Sequence, residues 1–443
     1  MSKGANTGRT FRFWAPLATL AGTSLVLGAC ATASVSGTSP ELPLWTKRPS
    51  FNLQVIYSRN AVAASRRAGE PYERGQPEID PKGRRVFVGS SDRGLYALHA
   101  EDGSALWRFE TLGFVQCQPL YDAASDAVYF GSNDGALYRV SAKNGALSWR
   151  FMTNAEVSRR PVLSGGVLYV TNANDTLLAL DPESGKLLWH QHRSPAMGME
   201  VAGYAGPAVF HDKVYTGFSD GTVLAFDTKT GAERWQPVDL SAEAEQTLGE
   251  VPAQLDVDTT PVPDQIEAGA VVYVASYAGG VYALDSETGT QVWGNTGVFG
   301  VSDLFLWNEP ARPAQAGEPE PIPRKVLIAS SGTSGLWGLD PDTGKERWRR
   351  RLPHGGVSAP VPMEGALLIS ASQLGVFLLS PLGGELIDGI HIAEGVSMTP
   401  AVYGNRAFVL TNGGRFLGLH LSSPLPIPSG YGADQATFFS PPG

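Results

Sequence analysis

The strongest constraint on the fold is a motif that recurs along the chain every 40 to 58 residues. Each copy holds two short apolar runs, a glycine-containing pair such as Asp-Gly or Thr-Gly, and then a tryptophan. The first copy has its apolar runs at 86–90 and 94–98, its glycine pair at 102–103 and its tryptophan at Trp107. The tryptophans that end the first six copies are Trp107, Trp149, Trp189, Trp235, Trp293 and Trp348. A period of this length indicates a propeller or another repeat array.

Each copy has the composition of a small antiparallel sheet. Apolar and polar residues alternate as in half-buried strands, and the glycine pairs suit turns that need a positive φ. The tryptophan is large enough to fill the gap between neighbouring sheets if its indole N–H finds an acceptor. A closed ring gives every sheet two neighbours and leaves only short edges exposed. The repeat therefore predicts an all-β propeller of four-stranded antiparallel blades.

The number of copies predicts eight blades. The seventh copy has Ile387 or Asp388 where a tryptophan is expected, and the eighth copy stops before its last strand. An unmatched Leu44-Trp45 pair precedes the first copy. We therefore expect one eight-bladed propeller over residues 41–421, whose last blade is closed by an N-terminal strand near Trp45.

Two proline-rich stretches interrupt or follow the repeat. One is an insertion at 308–324 inside the sixth blade, and the other is the tail at 422–443. Both have the composition of exposed loops or disordered segments.

The composition argues against several classes of protein. The chain has 52 glycines and 32 prolines without a collagen period, and its formal net charge is −9. An acidic chain with no basic block is a poor nucleic-acid binder, because phosphate neutralisation supplies most of that affinity. Two cysteines, Cys30 and Cys117, are too few for a disulfide framework or a structural zinc site. We expect Cys117 to be a small buried side chain.

The N-terminus is typical of a secretory signal peptide at residues 1–29. Lys3, Arg9 and Arg12 precede an apolar run at 13–27 that is short for a membrane span. The run ends in Leu-Gly-Ala-Cys, which resembles the bacterial lipobox and implies that Cys30 is lipidated at the start of a linker, 30–40. The alternative is an ordinary cleavage site beside a chance cysteine. Residue 31 is alanine and not aspartate, which by the same resemblance favours the outer membrane.

Two levels of family resemblance follow from these residues. The repeat core, Gly-x-Leu-Tyr-Ala-Leu-Asp-x-x-Thr-Gly-x-x-Leu-Trp, resembles the pyrroloquinoline-quinone-like (PQQ-like) propeller repeat. The stretch Leu-Asp-Val-Asp-Thr-Thr-Pro at 255–261, with the repeat that follows it to 303, is similar to the BamB family. Segments 158–162 and 205–207 match the same family. This resemblance implies a non-catalytic lipoprotein of the outer-membrane β-barrel assembly machinery that binds the barrel-forming subunit BamA, with unfolded outer-membrane proteins as further implied ligands.

The resemblance also implies a partner-binding site. Two family aspartates beside the BamA site map onto Asp256 and Asp258, and a neighbouring apolar loop maps onto Met199 and Val201. The arginine that the family carries in that loop is missing here. Residues at i and i+2 of an extended segment point to one face, so the two carboxylates share a side. The alternative is a strand-start motif that caps backbone amides.

The sequence gives little support for an enzyme function. Quinone-dependent dehydrogenases share the propeller but need a calcium site, a catalytic aspartate and commonly adjacent cysteines, and no such set is recognisable here. His190 and His192 could share one strand face, but a metal needs further ligands. Ser331-Gly332 has no paired base. We therefore expect no enzyme activity, no cofactor and no metal. The alternatives are a PQQ-like scaffold of another envelope complex and, less favoured, a quinoprotein dehydrogenase.

Overall fold

The structure, a computed structural model, describes most of the chain after residue 51. The described residues are 52–60, 72–80, 82, 84–195, 204–240, 242, 245, 256–277, 279–310, 323–352 and 355–422. They form strands and turns almost throughout. None of them belongs to a helix with the length and apolar character needed to cross a bilayer.

The strands group into eight four-stranded antiparallel sheets, which are the blades of a propeller. The strands of the first half are β1 (Leu53–Arg59), β2 (Pro77–Ile79), β3 (Arg85–Gly89), β4 (Gly94–His99), β5 (Ala105–Glu110), β6 (Leu120–Asp122), β7 (Ala127–Gly131), β8 (Ala136–Ser141), β9 (Leu147–Met152), β10 (Val162–Ser164), β11 (Val167–Asn172), β12 (Thr176–Leu180), β13 (Leu187–His192), β14 (Ala208–Phe210), β15 (Lys213–Gly217), β16 (Thr222–Asp227) and β17 (Val238–Asp239). The strands of the second half are β18 (Val262–Ile266), β19 (Gly269–Ser276), β20 (Gly280–Asp285), β21 (Gln291–Asn295), β22 (Val301–Asn308), β23 (Lys325–Ser331), β24 (Gly335–Leu339), β25 (Glu346–Arg350), β26 (Val361–Met363), β27 (Ala366–Ala371), β28 (Gly375–Leu379), β29 (Leu386–His391), β30 (Ala401–Tyr403), β31 (Arg406–Leu410) and β32 (Phe416–Leu421). Blade 1 is β2 to β5, each following group of four strands is the next blade, and blade 8 combines β30, β31 and β32 with β1.

Within a blade the strands are named A to D from the centre outwards. The A strands of neighbouring blades contact each other around the centre, whereas the D strands are the most exposed. Successive strands are antiparallel, so the B-to-C turns and the D-to-A connections emerge on one side of the ring. This side is called the DA face, and the A-to-B and C-to-D turns lie on the opposite face.

The hydrophobic core lies between blades rather than at the centre of the ring. The B and C strands are almost fully buried, and their side chains pack against the adjacent blade. Val86 and Val88 of blade 1, for example, pack with Phe408 and Leu410 of blade 8. Because each fully buried side chain of this size contributes about 1.5–3 kcal/mol, every blade depends on both neighbours.

The tryptophans join consecutive blades as the repeat predicted. The Trp149 Nε1 donates to the Pro182 carbonyl of the next blade at 3.0 Å, and the Tyr129 hydroxyl donates to the same carbonyl at 3.2 Å. Gly185, at φ 69°, lies so close to the Trp149 ring that a Cβ would stand 2.7 Å from it. The same bond, at 2.9 to 3.1 Å, joins Trp107 to Ala142, Trp189 to Thr228, Trp293 to Pro341 and Trp348 to Pro381. The glycine-containing C-to-D turn is therefore the contact site for the tryptophan of the preceding blade.

An N-terminal strand closes the last blade, as expected, but the residues assigned to it were wrong. The closing strand is β1, which pairs with β32 over Leu53–Arg59. Trp45 lies outside the described residues, and Tyr57 fills the tryptophan position instead. Its hydroxyl donates to the Ala100 carbonyl at 3.0 Å, and its ring lies against Gly103. A tyrosine can occupy the same contact site because it also combines a flat ring with a terminal donor.

Asp388 occupies the tryptophan position of blade 7. Its register partner is Leu378, just as Trp348 is paired with Gly338 in blade 6. One carboxylate oxygen of Asp388 accepts hydrogen bonds from the Asn52 and Leu53 amides at 2.7 and 2.8 Å. Blade 7, which has an aspartate at the tryptophan position, thus binds the start of the closing strand β1.

The insertion at 308–324 lies between β22 and β23 of blade 6. Glu309 and Arg324 form a two-point ion pair at 2.8 Å, and the Glu309 amide donates to the Arg324 carbonyl. This pair extends the hairpin by one step, and residues 311–322 lie outside the described part. The predicted tail at 422–443 also falls outside it, apart from residue 422.

Candidate functional site

Asp256 and Asp258 lie on the DA face, in the connection that leads from blade 4 into β18 of blade 5. They line a small recess together with Asp175, Ser219 and Tyr204, which has room for about one water molecule and opens to solvent. Only 4% of Asp256 and 6% of Asp258 is exposed. Two carboxylates are therefore held almost out of water, which costs free energy unless opposite charges or donors compensate.

The Asp258 carboxylate is poorly compensated. No described residue donates a hydrogen bond to its side-chain oxygens, although its backbone carbonyl accepts one from Arg159 at 2.8 Å. Burial raises the pKa of Asp258 to about 7, and the negative charge of Asp256 adds to the effect. Arg159 acts in the opposite direction, while Asp175 and Asp303 raise the pKa further. The recess would therefore gain from a cationic group placed in it.

Arg159 is the cation that lowers the pKa of Asp258, but its guanidinium is largely engaged with other groups. It comes from the connection between blades 2 and 3 and donates to the main-chain carbonyls of Tyr204 and Asp258. Its remaining nitrogen lies 3.9 Å from the Asp303 carboxylate, a long ion pair. Arg159 thus ties the connections of several blades together and neutralises the recess only in part.

Two inter-blade contacts fix the walls of the recess. Asp175, in a B-to-C turn at φ 46°, accepts hydrogen bonds from the amide and hydroxyl of Ser219 in the next blade. The Tyr204 hydroxyl donates to the Glu156 carbonyl at 3.0 Å and accepts from the Ser158 amide at 2.6 Å. Burial raises the pKa of Tyr204 to about 12, so it stays a neutral phenol. A recess with such walls is preformed.

Met199 and Val201, the other two predicted site residues, lie outside the described residues. The described chain before them ends at Pro195 and resumes at Tyr204, and both of these residues line the recess. The segment that carries the apolar pair thus leaves and rejoins the structure beside the two aspartates. Their role in partner binding stays a prediction.

Sequence reasoning missed three residues of the recess, namely Arg159, Asp175 and Tyr204. The segment around Arg159 was noted only as part of the family resemblance. Asp175 and Arg159 belong to different repeats from Asp256, and nothing in the spacing of single residues places them together. Only the ring, which brings the connections of successive blades to one face, does so.

The remaining candidates for metal chemistry in the sequence are the histidines, whereas Cys117 is predicted to be a buried side chain. Within the described ranges no three His, Cys, Asp or Glu side chains are placed to hold a metal ion. His192 contacts the Thr176 hydroxyl and the Asn174 carbonyl at 3.0 and 3.1 Å, on an exposed D strand that also carries His190. Cys117 is fully buried, as predicted, and burial raises the pKa of its thiol to about 12.

The fold and the repeat match known proteins over most of the chain. A family model described as outer membrane protein assembly factor BamB matches residues 65–156, 122–307 and 281–423. An outer membrane protein assembly factor BamB of Legionella pneumophila (strain Paris) is 28% identical over 232 residues, which is 52% of this chain and 54% of that protein. The corresponding protein of Yersinia pestis is 25% identical over 298 residues, 67% of this chain and 58% of that protein. The matches thus span little more than half the length of these relatives.

Quinoproteins are similar to this chain over shorter stretches. A quinoprotein ethanol dehydrogenase of Pseudomonas putida is 28% identical over 201 residues, which is 41% of this chain and 31% of that enzyme. Among solved structures, the crystal structure of BamB from Moraxella catarrhalis has a TM-score of 0.61 at 19% identity and covers 86% of this chain and 99% of that one. A quinohemoprotein alcohol dehydrogenase from Comamonas testosteroni has a TM-score of 0.59 at 13% identity and covers 86% of this chain and 78% of that one. At these identities the structures show the shared propeller fold.

Proposed function

The chain belongs to the family of outer membrane protein assembly factor BamB, and from this premise we propose that it is a non-catalytic scaffold of the outer-membrane β-barrel assembly machinery. In this role it is anchored by a lipid on Cys30 at the periplasmic face of the outer membrane. It binds the barrel-forming subunit, a BamA-like protein, and so aids the folding and insertion of outer-membrane proteins.

The observation that carries the proposal is the recess around Asp256 and Asp258. Its carboxylates are buried, Asp258 accepts no side-chain hydrogen bond from the described residues, and the walls are held by contacts between blades. Such a site favours an arginine or lysine side chain from a partner, because that cation would supply the missing charge. We assign the apolar contacts around it to Met199 and Val201.

The test is binding to the purified periplasmic domains of the BamA-like subunit from the same organism. Both aspartates are buried, so exchange for arginine risks misfolding, and the conservative Asp256→Asn/Asp258→Asn variant is the sharper probe. Loss of a buried charge pair costs about 2 kcal/mol or more, which is roughly a thirtyfold weaker complex. The matched control is Glu101→Arg, an exposed residue in a C-to-D turn on the opposite face, which should leave affinity unchanged.

Two outcomes distinguish a failure of the proposed assembly role from a failure of the proposed docking site. If the folded double variant binds as tightly as the wild type, the recess is not the docking site. If the wild type itself fails to bind, the assembly role is withdrawn in favour of a scaffold in another envelope complex.

A quinoprotein dehydrogenase is the second candidate, because enzymes of that class match part of the chain. It predicts a quinone absorbance band after reconstitution with pyrroloquinoline quinone and calcium, together with alcohol oxidation by a dye-linked assay. The scaffold proposal predicts neither.

A further inference from the structure

A second charged feature lies on the outer rim of blade 6 at the end of strand β25. Arg349 pairs in register with Trp337 of the C strand, and its guanidinium lies 3.9 Å from the centre of the indole ring. Arg350 donates to the Gly383 and Gly384 carbonyls of blade 7 at 2.7 Å. Arg351 follows and is exposed. Three arginines in a row thus end a D strand, and only the middle one is tied to the next blade.

Blade 1 has the same arrangement with its charges balanced. There Arg108 pairs in register with Tyr96 and lies 5.5 Å from the centre of that ring. Two carboxylates neutralise it, Asp92 at 3.6 Å and Glu110 at 3.4 Å. Blade 2 keeps the stack, with Arg150 over Tyr138 at 6.0 Å and Asp134 bound to the Tyr138 hydroxyl.

Blade 6 keeps the cation and the ring but replaces both carboxylates. The position of Asp92, before the ring, is Thr333 in blade 6, and the position of Glu110, after the arginine, is Arg351. No carboxylate of the described residues lies within ion-pair distance of Arg349 or Arg351, whereas Arg347 is paired with Asp340 at 2.6 Å. Burial and the like charge of Arg351 lower the pKa of Arg349. The repeat therefore supplies two cations where blade 1 has one cation and two anions.

An exposed aromatic residue is joined through its backbone to the turn that precedes Trp337. Phe299 is 45% exposed, and its carbonyl accepts hydrogen bonds from the Thr333 and Ser334 hydroxyls at 3.3 Å. Ser334 in turn accepts from the Trp337 indole at 2.8 Å, and its carbonyl accepts from Arg349 at 3.3 Å. The turn at Thr333 and Ser334 thus contacts the Arg349 guanidinium, the Trp337 indole and the backbone of the exposed Phe299 on the DA face.

We infer that Arg349, Arg351 and Phe299 form a binding site for an acidic segment of a partner protein, whose carboxylates take the places that Asp92 and Glu110 fill in blade 1. The planar guanidinium matches a carboxylate through two parallel hydrogen bonds, and the indole fixes its plane. Phe299 offers an apolar contact. A membrane surface is a poorer fit, since the chain as a whole is acidic and its net charge of −9 opposes approach to a surface of anionic lipid.

The test introduces carboxylates into blade 6 at the two positions where blade 1 has them. The Thr333→Asp/Arg351→Glu variant should neutralise Arg349 within the chain and keep the fold, since blade 1 has this combination. The probe is a fluorescent peptide of alternating Glu and Ser with one central Leu, followed by anisotropy, and its Gln counterpart is the uncharged control. The wild type should bind the Glu peptide about tenfold more tightly than the variant does, because the variant loses two exposed ion pairs with the peptide.

Two controls separate this site from general charge and from the recess. Lys143→Glu/Lys186→Glu adds a similar negative charge on the opposite face and should leave peptide binding unchanged. Asp256→Asn/Asp258→Asn should also bind the peptide as the wild type does. The inference is overturned if the Gln peptide binds equally well, if the Thr333→Asp/Arg351→Glu variant binds like the wild type, or if the wild type binds phosphatidylglycerol vesicles but not the peptide.

Discussion

At the scale of single residues, Asp258 connects the recess to the stability of the fold. Its pKa is raised to about 7 in the folded chain, whereas an unfolded aspartate titrates near 3.9. Between about pH 4 and pH 7 the folded state therefore holds a proton that the unfolded state has released. Stability falls as the pH rises through this window, and the full penalty is present above pH 7.

Asp258→Asn should remove that penalty. We expect the free energy of unfolding at pH 8 to rise by a few kcal/mol, and the difference from the wild type to vanish near pH 4. Urea unfolding at pH 5, 6.5 and 8 measures this difference in the free energy of unfolding.

Asp227 is the matched control with the opposite sign, because hydrogen bonds from Thr230 lower its pKa to about 2. Asp227→Asn should destabilise at neutral pH and match the wild type only in strong acid. Parallel pH curves for Asp258→Asn and the wild type would contradict the assignment.

The recess also shows how far single residues could be predicted. Asp256 and Asp258 were named because they stand two apart in a recognisable stretch, and the structure places both in one recess. Arg159 was not, since it is 99 residues from Asp258 in sequence and reaches it through the ring. A charge partner from another repeat has no signature in the local pattern.

At the scale of the elements, the contact site of the tryptophan is the joint between blades. The Pro182 carbonyl of blade 3 accepts hydrogen bonds from both Trp149 and Tyr129 of blade 2. In blade 4 the ring of Trp235 lies against Gly289 in the same way, but its Nε1 has no hydrogen-bond partner among the described residues. Both blades share the ring contact, whereas the indole hydrogen bond is found in blade 2 and not in the described part of blade 4, whose D strand β17 has two residues against six in β9.

Exchange of each tryptophan for phenylalanine isolates that hydrogen bond. Both variants lose the same ring volume, so Trp149→Phe should be about 1 kcal/mol more destabilising than Trp235→Phe. Tyr129→Phe/Trp149→Phe leaves the Pro182 carbonyl without either donor and should cost about 1 kcal/mol more than the sum of the single changes. Denaturant unfolding of Tyr129→Phe, Trp149→Phe and the double variant completes the cycle, and Trp235→Phe is measured beside them. Strict additivity, or equal costs for Trp149 and Trp235, would show that the ring contact alone holds the blades.

The repeat predicted the strands and turns of the regular blades, but not fully the two blades that lack a tryptophan. Trp, Gly and the apolar runs recur because every blade solves the same packing problem, and their period predicted eight blades. Tyr57 was missed because a phenol replaces the tryptophan there. Asp388 was one of the two residues expected at the seventh tryptophan position, but its bonds to two amides of the closing strand were not foreseen. A search for tryptophan fails in a blade where the contact site in the next blade is kept but another side chain fills it.

At the scale of the whole molecule, the DA face presents two features of opposite charge. The recess of blades 3 to 5 carries buried carboxylates, and the rim of blade 6 carries Arg349 and Arg351. A partner surface with one basic and one acidic element would be held at two points, which fixes its orientation as well as its affinity. The opposite face carries the short C-to-D turns that seat the tryptophans.

Anchoring decides where this face can act, and it is the last prediction. Residues 1–30 lie outside the described part, so lipidation at Cys30 rests on the Leu-Gly-Ala-Cys sequence that precedes the propeller. Several acyl chains hold a protein firmly at a bilayer, whereas a protein without acyl chains stays in solution.

Cys30→Ser should therefore move the protein from the outer-membrane fraction to the soluble periplasm, or leave the signal peptide uncleaved, while the propeller still folds. Membrane fractionation with metabolic labelling by a palmitate analogue measures both effects, and Cys117→Ser, a change at a buried thiol, is the control that should keep the label and the membrane fraction. Unchanged fractionation and labelling of Cys30→Ser would show that Cys30 is not the anchor. Because the expected linker at 30–40 is short, an anchored propeller would stay near the membrane and meet partners embedded there.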